Sequence, residues 1–446
     1  MAEVIHKTNK PLQVNPFKLS QPMGATLAFL GVDGCMPLMH GGQGCASLTK
    51  VFFTRHFCEP IAIQTSAVTD AVAVLDGGDY SIVESVKNIT AKVTPSLIGL
   101  HTTGLPETKG DDIRGISAQI DYPLVYVNTP DYEGGLESGW AQTCKALIEQ
   151  LVEPSKKADD NKLVLLPHVS LTPIEVEKIK EFIEGFGFKV SALPDLSTSL
   201  DGHLGDKQAA LSSGGISLEE IRMLADAGLV VSVGDSMQAA ATTLLKKNPA
   251  MRHEHFPHLQ GLAATDVLVE MLLAETGFSG PPATVARWRQ RLQDAMLDSH
   301  FALGQSRFLV AAEPDQLVGI CQSLYDAGGK VAVAISTVDS PQLKKIKAEK
   351  VLVGDLEDAE QCADCYDLFV GNGHCEALAH RLHKGLLLRG FPNWEQVGNQ
   401  MKNDVLYEGG CYFLFETANE TVRFFMSQQS GTDQAKPCGN EHAGLQ

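Results

Sequence analysis

Positive charge is scarce in this chain. Its 446 residues carry 36 Lys and Arg against 54 Asp and Glu, a formal net charge of −18. Nucleic-acid and anionic-membrane binding run on clustered cations, so the composition argues against both kinds of partner. Cysteine is thin as well: ten, irregularly spaced, do not make a disulfide framework, and a reducing cytoplasm is the expected setting. No stretch approaches the roughly 18 uninterrupted apolar residues of a membrane span. The opening from Met1 to Pro11 is polar and lacks the apolar centre of a signal peptide. A soluble protein that is not exported is expected. The Gly-x-Ser-x-Gly nucleophile elbow is also missing, and no other acid-base or nucleophile set stands out.

What is present is enough apolar material for several cores, 44% of the chain. At roughly 150 residues per domain the length suggests about three domains. From about residue 94 onward, short aliphatic runs alternate with helical patterns, the rhythm of α/β units built on parallel sheets. Polar Glu153 to Asn161 and the glycine- and proline-rich Gly277 to Pro282 read as breaks. They divide the chain into 1–155, 156–280 and 281–429, with 430–446 as a loose polar tail. Within the second block, Lys162 to Val169 reads as a buried strand. Thr172, Pro173 and Glu175 then form a capping-box start to a helix carrying Ile179, Phe182, Ile183 and Phe186 on one face. The third block repeats the unit: strand Phe308 to Ala312, helix Asp315 to Asp326, strand Val331 to Ile335.

Several motifs invite a functional reading and a plainer one. Gly371-Asn-Gly-His-Cys-Glu376 follows a strand and opens a helix. It lacks the third glycine of a dinucleotide fingerprint, and Glu376 would face any pyrophosphate, so an ordinary strand-to-helix turn is expected. Cys362 and Cys365, with His374 and Cys375 nearby, could supply soft metal ligands, but only the first pair has metal-like spacing. They read as buried structural thiols. His253, His255 and His258 read as a solvated loop around Pro257. Asp111 and Asp112 read as the cap of a helix beginning at Ile113.

The most informative segment runs from Ser20 to Pro60. Cys45 follows Gly41-Gly42-Gln43-Gly44 and precedes a helix from Ala46 through Thr54. A thiol at a glycine-cradled helix start is expected to be favoured as thiolate, which an iron-sulfur ligand or a nucleophile requires. On these grounds alone a buried structural cysteine remains the favoured reading.

His40-Gly-Gly-Gln-Gly-Cys45, the Phe-rich stretch ending in Arg55-His56-Phe57, and the Ser20-Gln-Pro-Met-Gly-Ala25 start resemble the nitrogenase molybdenum-iron protein β-subunit family. The resemblance continues in order through Thr102-Thr103, Gly110-Asp111-Asp112, Asn128-Thr129-Pro130, Gly139-Trp140, Gly390-Phe391-Pro392 and Tyr407-Glu408-Gly409-Gly410, covering about Asn15 to Ser427. It implies three Rossmann-like domains with parallel sheets. Family β subunits use three cysteines to help hold an eight-iron cluster at the subunit interface. One matches Cys45, but Ser20 and Gly104 stand at the other two positions. Glycine offers no ligand at all, so the eight-iron site loses its donor set.

That departure resembles the branch serving as the β-like subunit of the scaffold on which the nitrogenase iron-molybdenum cofactor is matured. The implied assembly is an α2β2 heterotetramer with a NifE-like α subunit. Cys45 would supply one ligand to a four-iron four-sulfur cluster, and the partner three. Cys35 and Cys58 are nearby thiols that do not match family ligand positions. A precursor of the iron-molybdenum cofactor, delivered by a donor protein, would rest transiently on the complex. It would receive molybdenum and homocitrate with help from the nitrogenase iron protein, and pass to apo-nitrogenase. The implied work is assembly rather than turnover. Alternatives are a catalytic β-type subunit of nitrogenase or of dark-operative protochlorophyllide reductase, and, in a different class, a small-molecule-binding Rossmann protein using the Gly371 turn.

Overall fold

Three parallel sheets organise the computed structural model, which describes residues 3–6, 17–57, 61–66, 68, 79–203 and 210–433. A short strand, β1 (Val4–His6), comes first. The first sheet holds β2 (Cys35–His40), β3 (Gln64–Thr65), β4 (Leu97–Thr102) and β5 (Leu124–Val127), in the spatial order β3-β2-β4-β5. The second holds β6 (Asp159–Leu166), β7 (Lys189–Ala192), β8 (Ala227–Val233) and β9 (Arg252–Phe256), ordered β7-β6-β8-β9. The third holds β10 (Arg307–Ala311), β11 (Lys330–Ser336), β12 (Lys350–Val353), β13 (Leu368–Gly371) and β14 (Gly385–Leu388). Its order is β1-β12-β11-β10-β13-β14, so the N-terminal strand joins the last sheet rather than the first. Every strand pair is parallel, and helices intervene between consecutive strands, as the alternating pattern predicts.

Local signals act where the sequence puts them. Thr172 caps the helix Pro173–Glu184 by accepting from the Glu175 amide, and the Glu175 carboxylate accepts from the Thr172 amide in return. Asp112 caps the helix Ile113–Ser117. Two expectations shift. His253 and His255 lie on β9 rather than in a loop, where the Ser232 hydroxyl bonds both rings at 2.8 and 2.9 Å. The final helix, Leu406–Asp433, continues through Ser430, where a loose tail was expected, and residues 434–446 lie outside the described residues. No helix among the described residues is long and apolar enough to cross a membrane.

Two of the contacts that tie the three units together set the frame of the site. The helix Gln21–Leu30 is buried along its whole length and crosses the helix Leu136–Leu151 with backbones nearly touching. A Cβ at Gly24 would lie 2.0 Å from the Leu136 carbonyl oxygen, and one at Gly139 2.0 Å from that of Gln21. Next to this crossing, the Trp140 indole donates to Pro167 beyond the end of β6. At the second place, Glu137 accepts from the Asp315 amide at 2.8 Å, and Gln342 donates to both Glu137 and Asp315. Asp315 in turn accepts from the amides of Asp235 and Ser236, which follow β8. A carboxylate pair bridged by one amide side chain thus joins all three units.

Candidate metal centre

Both the first and second sheets reverse their strand order next to their first strand, which in the first sheet puts the switch between β2 and β4. Loops leaving the carboxyl ends of strands at such a switch diverge, and the crevice between them is where open α/β sheets bind ligands. The β2 loop carries Gly41 to Gly44 into the helix Gln43–His56, with Cys45 in its first turn. The β4 loop carries Thr103 into the helix Gly104–Lys109. Cys45 and position 104 are therefore brought to one edge by topology, which neither position reveals alone.

Hydrogen bonds fix these loops. The Thr103 amide donates to the His40 carbonyl at 3.1 Å, and the Thr103 hydroxyl reaches the same oxygen. The fit is tight: a Cβ at Gly41 would lie 2.3 Å from the Thr103 hydroxyl oxygen, so only glycine lets the two loops meet. His40 is fully buried, with Nδ1 2.7 Å from the Ser66 hydroxyl and Nε2 2.9 Å from the Asp111 carboxylate, which also meets Lys109. Asp111, read from sequence as part of a helix cap, instead secures this histidine, while Asp112 does the capping. The loop after β5 joins them through Thr129, whose amide and hydroxyl bond the Thr102 hydroxyl and carbonyl at 2.8 Å each.

The Cys45 helix buries Ala46, Thr49, Phe53 and His56 on one stripe and leaves Cys45, Leu48 and Val51 exposed. Its far end is pinned to the third unit. His56 accepts from the Asn393 amide at 3.0 Å, Phe53 meets Phe391 edge-on, and Phe52 stacks on Trp394. Burial, with Lys402 nearby, lowers the His56 pKa to about 3, so the ring stays neutral and serves as an acceptor.

Sequence reasoning expected a Cys45 thiolate favoured by the helix start. In the chain itself the thiol is pushed upward, by partial burial first and the Asp131 carboxylate second, against a smaller lowering by its own amide. Iron would reverse this balance, because a coordinating thiol is deprotonated outright. Asp131, in the β5 loop, carried no signal in the sequence beyond its place after Asn128-Thr129-Pro130. Its Oδ1 lies 2.1 Å from where a Cβ at Gly104 would sit, so a side chain at 104 could enter only by displacing that carboxylate.

Ser20 is half-buried and precedes the helix Gln21–Leu30 without a side-chain capping bond. The adjacent Gln21 donates to Ser138, which also bonds Gly135, so the Ser20 segment abuts the far end of the same β5 loop. Among the described residues this edge offers one thiol, Cys45, beside the Ser20 hydroxyl segment and a Gly104 that has no side chain to offer. A Cβ at Gly44 would meet nothing within 4 Å, and the exposed Leu48, Val51, Leu105 and Tyr132 add apolar side chains to this open edge. One donor on an open face fits a cluster completed by another chain, since the four irons of a cubane each need an external ligand.

The other candidates resolve differently. Cys35 is fully buried, with burial driving its thiol strongly upward, and Cys58 lies outside the described residues. Cys375 is likewise buried, while Cys362 precedes and Cys365 ends a short helical turn, both half-buried against the core on the third sheet. No group of three or more potential metal ligands occurs among the described residues. At the Gly371 turn the amides are already used: Gly373 donates to the Pro392 carbonyl, His374 to the Asn372 side chain and Cys375 to the Asn372 carbonyl. The helix that follows, Glu376–Arg381, has only six residues. An ordinary turn explains this motif.

Comparison with known proteins agrees with this geometry. The model of the nitrogenase component 1 type oxidoreductase family matches residues 20–421. The nitrogenase iron-molybdenum cofactor biosynthesis protein NifN of Mesorhizobium japonicum is 39% identical over 430 residues, covering 94% of this chain and 93% of the relative. Proteins of the same name from Rippkaea orientalis and Klebsiella pneumoniae are 38% and 35% identical, each covering 93% of this chain and 95% and 92% of their own. A solved structure of nitrogenase Cp1 at pH 6.5 superposes with a TM-score of 0.87 at 26% identity, covering 99% of this chain and 98% of the other. The end-to-end match, the three parallel sheets and the switch-point edge carrying Cys45 together show that the chain belongs to the nitrogenase component 1 type oxidoreductase family.

Proposed function

We propose that this chain is the β-like subunit of a NifE–NifN type scaffold on which a precursor iron-sulfur cluster is matured to the nitrogenase iron-molybdenum cofactor. Relatives that match it from end to end carry the name of that biosynthesis protein. The observation that carries the reading over a catalytic β subunit is the edge itself: among the described residues Cys45 is the one thiol there, and Asp131 fills the place of a side chain at Gly104. Cys45 supplies one ligand to a four-iron four-sulfur cluster shared with a NifE-like subunit. When bound, that cluster serves as an electron relay.

The residues of this chain have the remaining work of holding and orienting. His40, Thr103 and Thr129 stitch the three loops that present Cys45. His56, Phe52 and Phe53 anchor its helix to the third unit. The exposed Leu48, Val51, Leu105 and Tyr132 are the apolar surface that the partner covers, excluding water from the thiolate. In an α2β2 assembly the precursor, brought by a donor protein, is cargo. It gains molybdenum and homocitrate with the nitrogenase iron protein and leaves for apo-nitrogenase. The units 1–155, 156–280 and 281–429 act as one rigid support in this role.

The test is reconstitution. The chain co-expressed with a NifE-like partner, loaded with precursor and supplied with molybdate, homocitrate, iron protein, a reductant and MgATP, is expected to activate apo-nitrogenase. The complex alone is expected to reduce no dinitrogen. Efficient dinitrogen reduction by the complex without apo-nitrogenase contradicts the reading.

A further inference from the structure

Asp131 is the acidic side chain that the fold sends into the space a side chain at 104 would take. Its carboxylate, not solvent alone, fills that space, with Oδ1 2.1 Å and Cγ 2.8 Å from an ideal Cβ on Gly104. The loop that carries it is held in register by two Thr129 bonds to Thr102, immediately before the Gly104 helix. Among the described residues no cation pairs with it: Lys109, on the adjacent helix, pairs with Asp111. Its field reaches Cys45, the candidate ligand that the described residues present on this edge. A fixed negative charge beside an iron-sulfur centre disfavours the added electron of the reduced form, because net charge near the cluster is a main determinant of its potential. Once a partner covers the apolar edge, less water remains to screen that charge.

Resting on the proposed ligation by Cys45, we propose that Asp131 is a positioning and tuning residue of the shared cluster: its carboxylate takes the volume of the absent ligand at 104 without ligating iron, and lowers the midpoint potential. A carboxylate that ligated iron would be needed to retain the metal. One that only tunes it can be neutralised without loss of iron.

The experiment uses the full complex with the NifE-like partner, comparing wild type, Asp131→Asn and Asp131→Glu by iron content and EPR-monitored redox titration. Asp131→Ala, which only removes atoms from an exposed position, serves as the second neutral variant if the Asn form assembles poorly. The expected result is unchanged iron content, a more positive midpoint potential in the neutral variants, and a near wild-type potential in Asp131→Glu. A wild-type potential in both neutral variants overturns the inference, as does loss of iron from them. Cys45→Ala, run in parallel, separates the two levels: a cluster retained in that variant overturns the underlying ligation, whatever Asp131 does.

Discussion

His40 ties two loops with one residue. Its ring lies buried between Ser66 and Asp111, and its carbonyl takes the Thr103 amide. Replacing it with Ala leaves the buried Ser66 hydroxyl with only the Gly41 amide and weakens the anchoring of a carboxylate, at a cost of about 1–3 kcal/mol. Equilibrium denaturation of His40→Ala is therefore expected to show that loss, and the assembled complex to hold less iron as the Cys45 loop loosens. Unchanged stability would mean that the ring contributes nothing to this edge. At this scale the sequence was only partly legible. Cys45 stands out because glycines precede it and a helix follows. Asp131 does not, because its meaning comes from its loop, 86 positions after Cys45, being folded against Gly104's neighbourhood by strand order, which no local pattern encodes.

Among the elements, the crossing of Gln21–Leu30 with Leu136–Leu151 makes the sharpest demand on sequence. With virtual Cβ atoms at Gly24 and Gly139 only 2.0 Å from carbonyl oxygens, even one methyl group pushes the helices apart. Overpacking of this kind costs about 1–3 kcal/mol or more. Gly139→Ala is expected to lower the thermal midpoint measurably, whereas Gly187→Ala tests a different penalty: open space but a left-handed backbone at φ +100°. A neutral Gly139→Ala would show that the crossing is looser than drawn. The Thr172 box offers a milder test. Thr172→Ala removes the Glu175 amide's acceptor and a 2.7 Å bond to the Lys402 carbonyl, for a loss of about 1–2 kcal/mol in denaturation. Capping, strand and helix signals like these are local chemistry and were readable. His253 and His255 depart from the expected loop because the turn is not centred on Pro257. It lies just beyond the end of β9, whose pairing with β8 overrides the polar composition.

Over the whole molecule, buried titratable groups set a pH dependence of folding. Burial is the main cause that raises Glu175 to about 8, Glu313 to about 7 and Asp315 to about 6, and it raises Glu137 as well. These carboxyls hold protons in the fold that the unfolded chain releases near its ordinary carboxyl range. Their contribution is complete at acid pH and is lost as pH rises through the folded values. Buried His56, His101, His168 and His258 have the opposite sign. Lowered by burial to about 3 or 4, they lose stability as pH falls below the ordinary 6.5. The thermal midpoint is therefore expected to decline from about pH 6.5 to about pH 8.5, and Glu175→Gln to flatten that decline. A wild-type slope in the variant would remove Glu175 from the account. The three-sheet architecture was visible in the strand-helix rhythm, but the contacts that lock the units were not. Glu137 and Gln342 are 205 positions apart, and they meet only because two sheets present their loops to one another.

The central claim is that this chain brings one iron ligand, Cys45, to a cluster completed by a partner, and it is most directly tested on the purified complex. Iron content and the EPR signal of the reduced cluster are compared for wild type and Cys45→Ala, with co-purification of the partner as the control for folding. The account predicts that the variant still folds and engages the partner but loses the signal of the shared cluster, with a matching fall in iron. A variant complex with undiminished iron and an unchanged signal would contradict it.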